Sequence, residues 1–244
     1  MFRTKDGFVF DGLWAAGAMN GQGKLTYPDG SVYEGMLKAD RPEGQGKITY
    51  PDGSGYEGAW VAGVIGGSGK ARYPNGSVYE GSFVDAKPDG VGTMTMADGY
   101  VYRGQWKAGQ REGRGRAEFP DGSVYEGEFR AGLRHGRGKL TQPDGFTYEG
   151  AWLEGEIHGI GAAVFASGDR YEGAFVIGKR QGKGKRPYAS GEVAEGEWLA
   201  GVLVAPPEPA EAPAEAAPEA ATEAPAAEPA AEPSRVEPQP NRPM

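Results

Sequence analysis

The sequence predicts an all-β protein: an elongated, single-layer antiparallel β-meander of stacked 23-residue β-hairpins, followed by a disordered Pro/Ala/Glu C-terminal tail. Three observations predict it. An aromatic–acid–Gly tripeptide recurs at a constant interval of 23 residues. A turn dipeptide, mostly Asp-Gly, separates β-type runs within each interval, which is a strong hairpin signal. All 43 glycines precede Val202, whereas 32 of the last 40 residues are Pro, Ala or Glu. The chain therefore divides into a repeat array, residues 1–204 with about eight to nine repeats, and a low-complexity acidic tail, residues 205–244.

The tripeptide column runs Phe10-Asp11-Gly12, Tyr33-Glu34-Gly35, Tyr56-Glu57-Gly58, Tyr79-Glu80-Gly81, Tyr102-Arg103-Gly104, Tyr125-Glu126-Gly127, Tyr148-Glu149-Gly150 and Tyr171-Glu172-Gly173. It decays to Ala194-Glu195-Gly196. Two residues after each Gly stands a large apolar side chain, among them Trp14, Leu37, Trp60, Phe83, Trp106 and Trp152. A Gly-x-Gly pair keeps the same phase, starting at Gly21, Gly44 and so on to Gly182.

Each unit reads as two short strands. Lys24–Tyr27 runs out, Pro28-Asp29-Gly30-Ser31 turns, and Val32–Leu37 runs back. Pro presets φ and Gly accepts a positive φ, so this is turn chemistry. Alternation puts Leu25, Tyr27, Tyr33, Gly35 and Leu37 on one face. It puts Lys24 and Glu34 on the other. One face is then an aromatic ladder in which each ring lies over bare glycine backbone. The other is a ladder of opposite charges worth roughly 0.2–1 kcal/mol per cross-strand pair. Consecutive hairpins stack edge to edge, and the atypical last units blunt the terminal edge. A parallel β-solenoid with one coil per repeat is the alternative. The hairpin turns oppose it, because parallel strands need long crossovers.

Composition removes several function classes. With no Cys there is no disulfide framework, thiolate zinc site or Cys nucleophile. Only two His are present, which argues against a multi-His metal centre. No apolar run reaches membrane-spanning length, and MFRTKDGFVF shows no signal-peptide h-region, so a cytoplasmic location is expected. The tail carries eight Glu against Arg235 and Arg242, while residues 1–204 hold 24 basic and 26 acidic residues. A near-neutral array argues against nucleic acid as a partner.

Units such as Tyr56-Glu57-Gly58-Ala59-Trp60-Val61-Ala62-Gly63 and Tyr125-Glu126-Gly127-Glu128-Phe129-Arg130-Ala131-Gly132 resemble MORN (membrane occupation and recognition nexus) repeats. The resemblance covers residues 1–201, with departures at Leu37, Asp40, Ala86 and Ala194. It implies an extended, twisted sheet of hairpins with an aromatic-lined groove. It implies a scaffold, dimerisation or targeting role, with phospholipid binding proposed for some members. Catalysis in that family belongs to separate domains.

Each candidate site also has a plain structural role. Gly21-Gln22-Gly23-Lys24 and Gly136-Arg137-Gly138-Lys139 are similar to phosphate loops in composition, but they lead into strands and their Gly-x-Gly pair occurs eight times. His135 and His158 share a column with rungs roughly 10 Å apart, which suits solvent-exposed loops better than a joint metal site. The Glu column could supply acid–base pairs, yet its basic partner column makes it a charge ladder. Tyr56, Trp60, Tyr79, Tyr102, Trp106, Tyr125, Tyr148 and Trp152 form either the core of a thin sheet or a groove for a partner segment. Arg111, Arg114, Arg134, Arg137, Lys179, Arg180 and Lys183 gather near the later Gly-x-Gly loops and form either a solvated edge or a strip for anions and lipid headgroups. The functional expectation is a non-catalytic scaffold that binds a protein partner, or a second copy of itself, through the aromatic groove. A peripheral adaptor on anionic membrane is the alternative. A glycan-binding array is a third reading, lowered by the missing export signal. No catalytic residue, cofactor or metal is expected.

Overall fold

The computed structural model describes residues 1–204, so the expectation for the tail lies outside the described residues. The described chain holds nineteen strands and no helix, and packing divides it into two units, residues 1–110 and 111–204.

In the first unit, Phe2–Arg3 is a two-residue start. Seven-residue strands then alternate with nine-residue strands: Val9–Ala15, Ala18–Thr26, Val32–Lys38, Arg41–Thr49, Gly55–Val61, Val64–Arg72, Val78–Val84, Lys87–Thr95 and Val101–Lys107. Each pairs antiparallel with the strand before it. The second unit opens within the strand Gln110–Glu118, from Arg111 on, and repeats the alternation through Val124–Arg130, Leu133–Thr141, Thr147–Leu153, Glu156–Val164, Arg170–Val176, Lys179–Pro187 and Val193–Leu199, ending in Val202–Val204. This is the antiparallel hairpin-repeat class that the sequence predicts; no parallel pairing occurs in either unit among these ladders.

Two turns of different chemistry join the strands. The Pro-Asp-Gly connection is a three-residue loop. Gly30 N–H donates to the Tyr27 carbonyl at 3.0 Å, and Tyr27 N–H donates to the Ser31 carbonyl at 2.8 Å. Gly30 takes φ +88°, and the Asp29 carboxylate accepts from Ser31 N–H at 2.9 Å. This is a type I turn closed by a left-handed glycine, the usual three-residue hairpin. The other connection has two residues, both at positive φ: Ala62 at 50° and Gly63 at 88°. That is a type I′ turn, whose twist matches the strands it joins.

The Gly-x-Gly pair has two separate duties. Its first glycine sits where the register shifts, as between Gly58 and Trp60 opposite Gly67, and takes a positive φ of 77°. This is a bulge that only a residue tolerant of left-handed backbone accepts readily. Its second glycine pairs with the tripeptide glycine, Gly58 with Gly69, and lies beneath the ring of Tyr56. A Cβ on Gly69 would overlap that ring. The bare window under each tyrosine is thus built from two strands.

Candidate functional site

The ring face of the first unit is a continuous edge-to-face series. Tyr33 meets Trp60 at 5.3 Å between centroids, Trp60 meets Tyr56 at 5.6 Å, and Tyr56 meets Phe83 at 5.1 Å. Tyr79 then meets Phe83 at 4.9 Å and Trp106 at 5.3 Å, and Trp106 meets Tyr102 at 5.1 Å. The second unit repeats the scheme: Tyr125 meets Trp152 at 5.1 Å and Trp152 meets Tyr148 at 5.4 Å. Such geometry aligns the positive edge of one ring with the negative face of the next.

Each polar tip is used internally. Tyr79 Oη donates to the Ser82 carbonyl at 3.1 Å and Tyr148 Oη to the Ala151 carbonyl at 2.9 Å. Trp60, Trp106 and Trp152 each donate Nε1–H to the carbonyl of a covered glycine, at 3.2, 3.2 and 3.1 Å. Burial pushes the hydroxyls of Tyr33, Tyr56, Tyr148 and Tyr171 up to about 12. The eight aromatic residues singled out in the sequence are all buried, none more than 7% exposed. The exception on this face is the N-terminal end, where Trp14 is 45% and Phe2 51% exposed. With Phe8, Phe10 and Met19 they border a hollow of about 310 Å³.

The charged face forms the expected ladder. Lys24 pairs with Glu34 at 3.0 Å, Lys70 with Glu80 at 3.4 Å, and Arg116 with Glu126. These pairs are largely solvent-exposed and individually weak.

The seven basic residues separate onto two faces. Arg114, Arg137, Lys179 and Lys183 are exposed. Arg111, Arg134 and Arg180 turn to the ring face. Arg134 stacks on Trp152 at 4.5 Å and donates Nη2–H to the Gly155 carbonyl at 2.7 Å. Arg180 does the same with Trp198 at 4.4 Å and the Gly201 carbonyl at 2.6 Å. Arg111 donates to the Gly132 carbonyl and lies over Phe129 at 5.5 Å. His135 and His158 are half-buried rather than fully exposed, and His135 Nε2 lies 3.3 Å from Arg130 Nη1.

Sequence reasoning missed one column. Glu43 accepts from Ala62 N–H at 2.8 Å, Asp89 from Ala108 N–H at 3.0 Å, and Glu112 from Ala131 N–H at 2.9 Å. Each carboxylate pins the type I′ turn of the following repeat, and the Gly63 N–H adds a 2.9 Å bond to the Pro42 carbonyl. The signal was an acid or amide next to the first glycine of five of the eight pairs: Asn20, Glu43, Asp89, Glu112 and Gln181.

Among the described residues no helix is long and apolar enough to cross a membrane, and no group of three or more His, Asp or Glu could hold a metal ion.

These features define a class: antiparallel hairpin-repeat sheets in which a tyrosine per repeat covers a pair of glycines. The MORN repeat model matches eight consecutive segments, residues 10–32, 33–55, 56–78, 79–99, 102–124, 125–147, 148–170 and 171–193. The chain belongs to the MORN repeat family. No curated protein matches it. Among solved structures, it is similar to the TCP10 domain of Danio rerio CPAP in complex with a peptide of Danio rerio STIL, at 16% identity and TM-score 0.45, over 78% of this chain and 83% of that one. It is similar also to the SAS-4 (dCPAP) TCP domain of Drosophila melanogaster with a proline-rich motif of Ana2, at 13% identity and TM-score 0.35, over 72% and 83%. A virginiamycin B lyase from Staphylococcus aureus follows at 16% identity and TM-score 0.16, over 80% and 63%. With TM-scores below 0.5, these likenesses support no functional inference.

Proposed function

We propose that the chain is a non-catalytic repeat scaffold that engages a protein partner, or a second copy of itself, through its aromatic face. The supporting observation is the open N-terminal end. Interior rings are sealed by the rings of neighbouring repeats, whereas Phe2 and Trp14 carry large exposed apolar surface around a hollow. An apolar hollow bordered by exposed rings suits anchoring of a partner's side chains.

The repeats support this reading in a second way. Their polar groups recur on internal bonds: hydroxyl to carbonyl at Tyr33, Tyr56, Tyr79, Tyr102, Tyr125, Tyr148 and Tyr171, indole to carbonyl at Trp60, Trp106, Trp152 and Trp198, and carboxylate to turn at Glu43, Asp89 and Glu112. The membrane-adaptor reading has less to draw on, because three of its seven basic residues are turned inward onto rings.

Crosslinking and light scattering across a concentration series, with proximity labelling in the native cell, test the scaffold. The expected result is self-association or a set of labelled partners that Trp14→Ala and Phe2→Ala diminish. A chain that stays monomeric, with a labelling profile indifferent to both substitutions, would overturn it. Co-sedimentation with anionic vesicles at low salt, lost on changing Arg114, Arg137 and Lys183 together, would move the assignment to a membrane surface.

A further inference from the structure

The last hairpin breaks two columns, and the turn of the hairpin before it breaks a third. Elsewhere a tyrosine faces an apolar residue across the ladder: Tyr33 faces Leu25, Tyr56 faces Ile48, and Tyr148 faces Leu140. Here Ala194 faces Arg186. The ring has gone and a guanidinium occupies the core column. Asp169 stands where Ser31, Ser54, Ser77 and Ser123 stand in other repeats.

The resulting cluster is charged and buried. Arg186 is 7% exposed, lies over Tyr188 at 4.5 Å and donates Nη2–H to Asp169 Oδ2 at 3.0 Å. Its Nε–H has no partner. Arg180 is 2% exposed, and its Nη1 is also buried without a partner. Arg134 occupies the column of Arg180 two repeats earlier and makes the same ring stack and carbonyl bond, yet it leaves no such orphan. Two guanidinium groups thus influence each other on the ring face of the second unit, and only Arg186 bonds a carboxylate, that of Asp169. Buried donors without acceptors and buried charge without a counter-charge are both costly, so this site is short of an anion.

We propose that Arg180 and Arg186 form a carboxylate-binding site whose occupant is a glutamate of residues 205–244. Position, charge and reach favour that segment. It begins one residue beyond Val202–Val204, a strand that pairs only with Glu197, Trp198 and Leu199. The stretch Val193–Gly196 is left without an outer strand among the described residues, and it holds Ala194 opposite Arg186. The segment carries eight Glu against two Arg. At roughly 3.3 Å per residue, Glu208 reaches about 13 Å from Val204 and Glu211 about 23 Å. Strand spacing and rise place Arg186 about 14 Å from Val204. Pro206, Pro207 and Pro209 lack N–H donors, so the segment is poorly suited to extend the ladder and its contacts fall to side chains.

The test uses the full chain with Glu208, Glu211 and Glu215 changed to Gln, its thermal midpoint at low salt, and the arginine Nε–Hε resonances. The Gln chain should melt about 2–4 °C lower, the scale of one charge-assisted contact in a chain of this size. The Arg186 Nε–Hε resonance should move. In an Arg186→Leu background, which restores the apolar residue of the column, the Gln changes should have no effect. Inorganic phosphate should raise the midpoint of the Gln chain more than that of the unaltered chain. Equal midpoints with an unmoved Arg186 resonance would overturn the proposal. So would phosphate stabilising both chains alike, which would mean that the pair takes a free oxyanion and the segment lies elsewhere. If Arg186→Leu fails to fold, the resonance shift in the unaltered background still decides.

Discussion

The hydroxyl of Tyr56 donates to the carbonyl oxygen of Ala59, three residues further along its own strand, at 3.0 Å. To reach it, the ring lies flat across Gly58 and Gly69, one glycine from each of two paired strands. Sequence, register and burial meet in that contact.

Gly69→Ala tests it directly. The backbone there is not in the left-handed region, so the cost comes from the added methyl against the ring rather than from strained φ. Forcing a methyl into a packed contact costs about 1–3 kcal/mol. Tyr56→Phe keeps the ring and drops one hydrogen bond, for about 1 kcal/mol. Urea unfolding should rank Gly69→Ala as the worse, and Tyr56→Ala with Gly69→Ala should cost less than the sum of the two. Strict additivity would mean that ring and glycine do not share the contact.

The type I′ turns predict a stabilising change. Ile177 sits at φ 48°, a β-branched residue in left-handed backbone, and its side chain is exposed. That conformation costs an L-residue roughly 1–2 kcal/mol, which an exposed side chain does little to offset. Ile177→Asn or Ile177→Gly should raise the urea midpoint by the equivalent of about 1 kcal/mol, and Ala62→Gly should gain less. A fall in the midpoint on Ile177→Asn would show that the side chain packs in solution.

The tyrosine and glycine columns were legible because alternation and a fixed period assign faces without further information. The type I′ turns were not, because Ala at positive φ runs against its own preference and is selected by the twist of the hairpin. The basic strip was misjudged for another reason. Arg134 and Arg137 are close in sequence, and proximity alone groups them. Alternation carried back from Leu140 would have put Arg134 on the ring face and Arg137 on the charged one. The bulge at Gly136 preserves that parity, since Phe129 still faces Arg134. Glu43 and Glu112 were hidden because their partners are backbone amides of the next repeat.

Alkaline pH should unfold the array cooperatively. Tyr33, Tyr56, Tyr148 and Tyr171 are raised from an ordinary value near 10 to about 12, by burial first. The neutral form is the one the fold holds, so this contribution is complete below about pH 10 and is lost as pH rises from 10 to 12. Circular dichroism through that window should fall in step with the tyrosinate absorbance near 295 nm for the buried rings. Free titration of all tyrosines near pH 10 with the fold intact would contradict the burial.

Arg134 and Arg137, three residues apart, should behave as residues of different kinds. Arg134 stacks on Trp152 and bonds the Gly155 carbonyl, so Arg134→Ala removes packing and leaves a carbonyl without its donor. Loss of a desolvated cation–π contact and a charge-assisted bond together costs about 2–4 kcal/mol. Arg134→Met keeps most of the stem over the indole and should recover part of that loss. Arg137 is exposed on the charged face, and Arg137→Ala should change stability by less than about 0.5 kcal/mol. Chemical denaturation of the three variants measures both effects. If Arg137→Ala proved as damaging as Arg134→Ala, the division of these arginines between ring face and charged face would be wrong, and with it the assignment of Arg111 and Arg180 to the core.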